Sequence, residues 1–227
     1  MSPRPGSFGR LWLPALLASA LPIACSEHEQ VPPDRLLVVD GIEVTFAELE
    51  PYLQFFASFM PEGGQKVRIH QILDDHLLPL RLAQRAFPEQ RRQLLEQAQA
   101  LCAVATNAHE LDEQSRAIED KARRNLTRRG RLPVVMFLFA PENTGAVSPP
   151  IEVPFGYVVT AAFDLKQAAR LVDDYVDALQ VGFTTHSSDD WKLWLEAEKR
   201  RIATKVTYVH PDYREAMPSW LQLPRLP

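Results

Sequence analysis

The tightest constraint on the fold is local. Asp40-Gly41 separates the apolar runs Leu36–Val39 and Ile42–Val44, and a helix start follows at once. Asp-Gly supplies the positive φ that a two-residue turn needs, so the two runs are expected to pair as a tight hairpin. Thr45-Phe46-Ala47-Glu48 reads as a capping box, with the Thr45 hydroxyl accepting from the Glu48 amide and the Glu48 carboxylate accepting from Thr45. This predicts a helix over 46–59, stopped at Met60-Pro61-Glu62-Gly63-Gly64. A second helix is expected over 65–87, with Ile69, Ile72, Leu73, Leu77, Leu80 and Ala83 on one stripe and a kink or break at Pro79. Pro88 restarts a helix at its first position, with Leu94, Ala98, Leu101, Cys102 and Ala105 on its apolar face.

Further on, residues 111–129 read as a polar helix ending in Arg123, Arg124, Arg128 and Arg129 before Gly130. Those arginines complement the macrodipole at a helix C-terminus, or else form a patch for anionic lipid headgroups or acidic partners. Pro133–Ala140 is a strand candidate, and Ile151–Phe163 one extended segment broken by Pro154 and Gly156. Asp164 is expected to cap a helix with the stripe Leu165, Ala168, Val172, Tyr175, Val176 and Leu179, ended by Gly182. Ser188 caps another that carries Trp191, Trp194 and Leu195, and Ala203–Val209 alternates as a strand. The Leu36–Val39 and Thr204–Val209 strands are expected to share one small sheet. The fold class is then mainly α with small β elements. A discontinuous helical domain spans 36–130 and 164–210, a shrunken β insert spans 131–163, and a Pro-rich tail spans 211–227.

At the start of the chain, Arg4 and Arg10 precede the uncharged run Leu11–Ala24, which Pro14 and Pro22 interrupt. The run is shorter than the ~18 residues a spanning helix wants, so residues 1–24 read as an export signal. Cys25 follows as Leu21-Pro22-Ile23-Ala24-Cys25, which resembles a bacterial lipobox. Cys25 is therefore the expected lipid attachment site, residues 25–35 a tether, and Ser26 is compatible with sorting to the outer membrane. The alternative is cleavage after Ala18-Ser19-Ala20, leaving Cys25 a free thiol. Removing Arg4 and Arg10 takes the net charge from −4 to −6, which does not suggest a nucleic-acid partner. With 46% hydrophobic and 24% charged residues the chain is neither disordered nor collagen-like, and 2 cysteines make no disulfide framework.

The sequence carries no Gly-rich phosphate loop, no G-x-S-x-G elbow and no paired-cysteine metal motif. Histidines fall at 28, 70, 76, 109, 186 and 210. His70 and His76 would point ~240° apart on a helix and do not chelate together, so each histidine reads as a surface or satisfied one. Cys102, on an apolar helix face, reads as an inert core thiol. Neither a metal nor a cofactor is expected.

Four segments resemble a known family. Leu37-Val38-Val39-Asp40-Gly41-Ile42-Glu43-Val44-Thr45-Phe46-Ala47-Glu48-Leu49 looks like the opening hairpin and helix of SurA/PrsA-type periplasmic foldases, and Ile69–Leu78 resembles their second helix. Gly145–Val159, containing Ser148-Pro149-Pro150-Ile151-Glu152-Val153-Pro154-Phe155-Gly156-Tyr157, resembles the last stretch of a parvulin-type prolyl isomerase domain, and Leu195–Tyr208 the family's closing helix and strand. The resemblance implies a SurA N-domain-like helical module with an inserted isomerase domain, here reduced. Of the residual motif, Phe155, Gly156 and Tyr157 remain. The family's two histidine positions hold Met136 and Val158, and only Ala140–Pro150 lies between the two strand candidates. Isomerisation must lower a barrier of ~18–20 kcal/mol, and little of the pocket that does so remains.

The expectation is a lipid-anchored envelope chaperone or assembly factor in the bacterial periplasm, without isomerase activity. Its partners are unfolded or partly assembled exported proteins. The alternatives are a permanent accessory subunit of an envelope complex and an active peptidyl-prolyl isomerase. Phe46, Phe55, Phe56, Phe59 and Met60 are the candidate client-binding surface, with core packing as the competing role.

Overall fold

The computed structural model describes residues 34–62 and 64–224; the expected signal segment, Cys25 and the start of the tether lie outside them. Strands β1 (Arg35–Val39) and β2 (Ile42–Thr45) form the expected hairpin. Asp40 (φ 50°) and Gly41 (φ 76°) occupy the two positive-φ positions of its turn. Thr45 caps α1 (Phe46–Phe59) through both halves of the capping box.

The next helical run differs in one detail from the expected kink. Helix α2 (Gln65–Ile72) passes into a π-helical turn, Leu73–Leu77, and on into α3 (Leu78–Ala86) without a break. Pro79 lacks an N–H and crowds the carbonyl four residues back. The widened turn before it accommodates both effects, as π-bulges in helices do. Helix α4 (Pro88–Val104) starts with Pro88 at its first position, and α5 (Ala108–Gln114) is capped by Asn107, whose side chain accepts from His109 and Glu110.

Beyond α5 the chain departs from the expected mainly α class. The stretch expected to continue as helix is strand β3 (Lys121–Thr127). The expected strand at Pro133–Ala140 is helix α6 (Leu132–Leu138), with Pro133 in its first turn. The segment Ile151–Phe163 is a hairpin: β4 (Ile151–Val153) turns through Pro154-Phe155 into β5 (Gly156–Lys166). The helix expected after Asp164 does not form; β5 and β6 (Tyr175–Thr184) pair along their length instead. Helix α7 (Ser188–Ile202) is capped by Ser187, one residue before the expected cap, and β7 (Val206–Val209) follows.

Seven strands among the described residues make two antiparallel sheets, ordered β2-β1-β7 and β3-β6-β5-β4. The fold is mixed α and β. The expected boundary between residues 163 and 164 falls inside β5.

The smaller sheet joins both ends of the described chain, because β7 pairs with β1, Leu37 opposite Val209. Its core gathers Leu36, Leu49, Ile69, Ile72, Leu78 and Ile202, all fully buried. Each such side chain contributes roughly 1.5–3 kcal/mol over an exposed one. The tail from Pro211 is docked: a 3₁₀ turn over Pro211–Ala216 leads to buried Met217 and Leu221. Asp74 of the π turn accepts from Lys199 at 2.9 Å and from Trp220 Nε1 at 2.7 Å, tying helix, α7 and tail together.

The larger sheet is covered on both faces. Val159, Ala161, Leu179 and Val181 meet Ala98, Leu101 and Leu111 of α4 and α5. Val158, Val176 and Ala178 meet Val134, Val135 and Leu138 of α6. Phe55 of α1 packs against both the smaller-sheet core and the α6 core.

Candidate functional site

The β4–β5 turn is where the larger sheet meets the helices before it and after it. The local chain conformation there requires glycine. Gly156 has φ 149°, and a Cβ on it would stand 1.9 Å from the Phe183 carbonyl oxygen. The turn carbonyls are gathered by Arg91 of α4. Its guanidinium donates to Pro154 O at 2.8 Å, Val153 O at 3.0 Å and Gly156 O at 3.3 Å, and to Glu152 Oε1 at 2.9 Å. Arg91 is 3% exposed, so this carboxylate and three carbonyls are what make its charge tolerable in the interior. Its Nε has no partner. Arg91 shares the helix stripe of Leu94, Leu95 and Ala98, and a charged residue in an apolar stripe is the sequence signal that could have found it.

A polar seam runs from this turn towards α1. Gln84 Nε2 donates to Glu152 Oε1 at 3.0 Å, and Arg81 pairs with the capping carboxylate of Glu48. Burial pushes the Glu48 carboxyl up, but Arg81 and the Thr45 amide outweigh it and hold the group below the ordinary carboxylate range. Tyr52 Oη and His76 Nε2 lie 2.9 Å apart, and burial, then the Glu48 charge, raises the Tyr52 hydroxyl. His76 is 3% exposed, and its Nδ1 has no partner. The imidazole is therefore closed to any substrate, and the seam is a packing device.

On the outer side of the turn lies an aromatic surface. Phe155 leaves the turn half-buried, with the Arg131 guanidinium 4.2 Å over its ring and Trp191 6.2 Å away. Trp191 and Trp194, one turn apart on α7, are 4.9 Å from each other. Phe87, at the junction of α3 and α4, lies 4.8 Å from Trp194 and 4.7 Å from His186. His186 stacks on Trp194 with an interplanar angle of 20°. Phe87, Phe155, His186, Trp191 and Trp194 are all half-buried, so each stays partly accessible. The backbone beneath is fixed: Thr185 N donates to Phe155 O at 2.9 Å, and Gln90 Nε2 to Thr185 O at 2.8 Å. Such a surface holds apolar or planar groups by contact area at low entropic cost.

The residues expected from sequence fall in three places. Phe56 and Phe59 are interior side chains, 2% and 6% exposed. Phe55 and Met60 are half-buried at the edge of the same core. Phe46 is half-buried against His210 and Tyr213, with ring centroids 5.4 and 4.9 Å away. Of the family-like motif, Phe155 reaches the aromatic surface, Gly156 makes the turn and Tyr157 lines the α4 side of the sheet. Val158 faces α6 and is buried, while Met136 lies on α6 itself. The two positions therefore do not face each other from neighbouring strands. Cys102 is half-buried, donates to Ser148 O at 3.3 Å and is raised by burial, away from a reactive thiolate. Phe87, Arg91, Arg131, His186, Trp191 and Trp194 were not among the expected site residues. They come together only through the β4–β5 turn, which the sequence did not show as a hairpin. No protein-family model, no curated protein and no solved structure matches the chain.

Proposed function

We propose that this protein is a lipid-anchored chaperone or assembly factor of the bacterial envelope that holds segments of exported polypeptides without isomerising their prolyl bonds. The observation that carries this reading is the aromatic surface of Phe87, Phe155, Trp191 and Trp194 with Arg131 at its rim. Tryptophan, tyrosine and arginine are the side chains on which protein contacts most often concentrate their energy, and a fixed backbone keeps the ordering cost low. The motif around Phe155-Gly156-Tyr157 that resembles parvulin-type isomerases supports a polypeptide ligand. Interior Val158, in the place of that family's histidine, supports binding without its chemistry. The apolar run before Cys25 supports export and a lipid at that cysteine, which holds the protein on the outer membrane.

Two measurements test the reading together. The purified protein suppresses aggregation of a chemically unfolded exported protein, and Trp191→Ala weakens that suppression severalfold. On a proline tetrapeptide it gives no isomerisation rate above background. Undiminished suppression by Trp191→Ala removes the aromatic surface from the account. An isomerase rate lost on changing Phe155 or Tyr157 replaces the account with catalysis.

A further inference from the structure

At the opposite edge of the larger sheet from the aromatic turn, β3 is an edge strand that pairs with β6 alone among the described strands. Its register with β6 runs without a bulge from Lys121 opposite Val181 to Thr127 opposite Tyr175. Asp120 O accepts from Gly182 N at 2.6 Å, which sets the alternation. The even-numbered residues of β3 bond to β6, and the N–H and C=O groups of Arg123 and Asn125 point outward, as does the N–H of Thr127. The Thr127 carbonyl is taken by Gly130 N at 2.9 Å, so the outward row ends there.

The charge on this edge runs against that of the chain. Residues 116–131 hold seven of the 25 Lys and Arg residues but only two acids, Glu119 and Asp120, in a protein of net charge −4. Four of these cations are matched: Lys121 pairs with Asp112 at 2.7 Å, Arg123 bonds Asp177 at 2.9 Å, Arg128 pairs with Asp174 at 3.2 Å, and Arg116 lies 3.8 Å from Glu113. Arg124 and Arg129 are exposed and make no ion pair among the described residues. Arg124, opposite Ala178, projects to the α6 side of the sheet. A second copy of this strand would bring like charges face to face, so self-pairing is disfavoured. What the edge fits is an extended segment carrying carboxylates on alternate residues.

We propose that the outer edge of β3 takes an acidic, extended segment of a partner protein as a fifth strand of the sheet, with Arg124 and Arg129 facing its carboxylates. Backbone hydrogen bonds to Arg123 and Asn125 supply the docking, and the arginines supply the choice of partner. This surface is separate from the aromatic one and stands or falls independently of it.

The test is fluorescence anisotropy with the full-length protein in detergent and a labelled ten-residue peptide alternating Glu and Val. The expected result is saturable binding that weakens at least tenfold when Lys replaces Glu, in Arg124→Glu, and when the peptide is N-methylated at alternate residues. Asn125→Pro removes an outward N–H and leaves the ladder to β6 intact, so it also weakens binding at least tenfold. The N-methylated peptide keeps the test decisive where that variant folds poorly. Equal binding of the Lys and Glu peptides overturns the proposal, and so does binding indifferent to N-methylation. Sedimentation with phosphatidylglycerol vesicles that Arg124→Glu abolishes, alongside no peptide binding, overturns it in favour of a membrane surface.

Discussion

His76 shows how much one side chain can change when its helix is not ideal. An imidazole six residues after His70 reads as a surface or satisfied group, yet the π turn carries it inward, where only Nε2 finds a partner. Burial lowers its pKa from 6.5 to about 4, with the Glu152 charge opposing the shift. The folded protein therefore keeps His76 neutral at pH values where the unfolded chain is protonated. Stability is full above pH 6.5 and falls as the pH drops towards about 4, by on the order of 3 kcal/mol, after which this group adds nothing more. Urea denaturation at pH 7 and pH 5 should show about 2 kcal/mol of that fall in the wild type and a smaller one in His76→Gln. Gly156 makes the complementary point. It stands out in the sequence through a family-like motif, and the reason for it is local: no other residue fits beneath the Phe183 carbonyl at φ 149°.

At the scale of elements, hairpin β1–β2 and helices α1, α4 and α7 were legible because turn chemistry and capping residues act over four or five residues. β6 was not, and its burial explains why. Both faces of the strand are covered, so Val176, Ala178, Leu179 and Val181 are all interior and the period-two signal is lost. Val176 and Leu179 then sit three apart and imitate a helix stripe. The two readings differ at particular residues. Ala178 lies off the supposed stripe but is fully buried, so Ala178→Asp should cost about 3–5 kcal/mol in chemical denaturation by burying an unpaired charge. Tyr175 lies on the stripe but is exposed, and Tyr175→Ser should change stability by less than about 0.5 kcal/mol. β3 is strand because β6 offers it an edge; its own polar sequence carries no alternation to announce that. The Pro133–Ala140 run is short and apolar throughout, so periodicity does not separate strand from helix there, and the strand reading missed that Pro133 sits in the first turn of α6. Of the aromatic site, only Phe155 stood among the expected site residues; Trp191 and Trp194 read simply as residues of a helix. The rest depended on long-range pairing that periodicity does not encode.

Over the whole molecule, Asp40 joins the two ends of the described chain. Its carboxylate accepts from Lys205 at 3.0 Å, Arg201 at 2.9 Å and Arg85 at 2.8 Å, linking the hairpin turn to α7, β7 and α3. Lys205 first, then Arg201 and Arg85, hold its pKa down at about 2 against the opposing effect of burial. A carboxyl lowered in the folded state stabilises it above the ordinary value of 3.8, and the benefit is lost as the pH falls towards about 2. Asp40→Asn, which keeps the positive-φ turn, should lower Tm at pH 7, and the gap should close by pH 2. Segments far apart in sequence, locked in this way, hold the aromatic surface on a fixed frame. The central claim is that this surface meets exported polypeptides in the envelope. It is tested most directly by a photo-crosslinking amino acid at Trp191 in living cells, followed by mass spectrometry. Exposed Val104, about 26 Å along α4 from Phe87, is the control position. The account predicts a spread of exported precursors captured from position 191 and not from position 104. A single partner captured in fixed stoichiometry would contradict it and make the protein a permanent subunit.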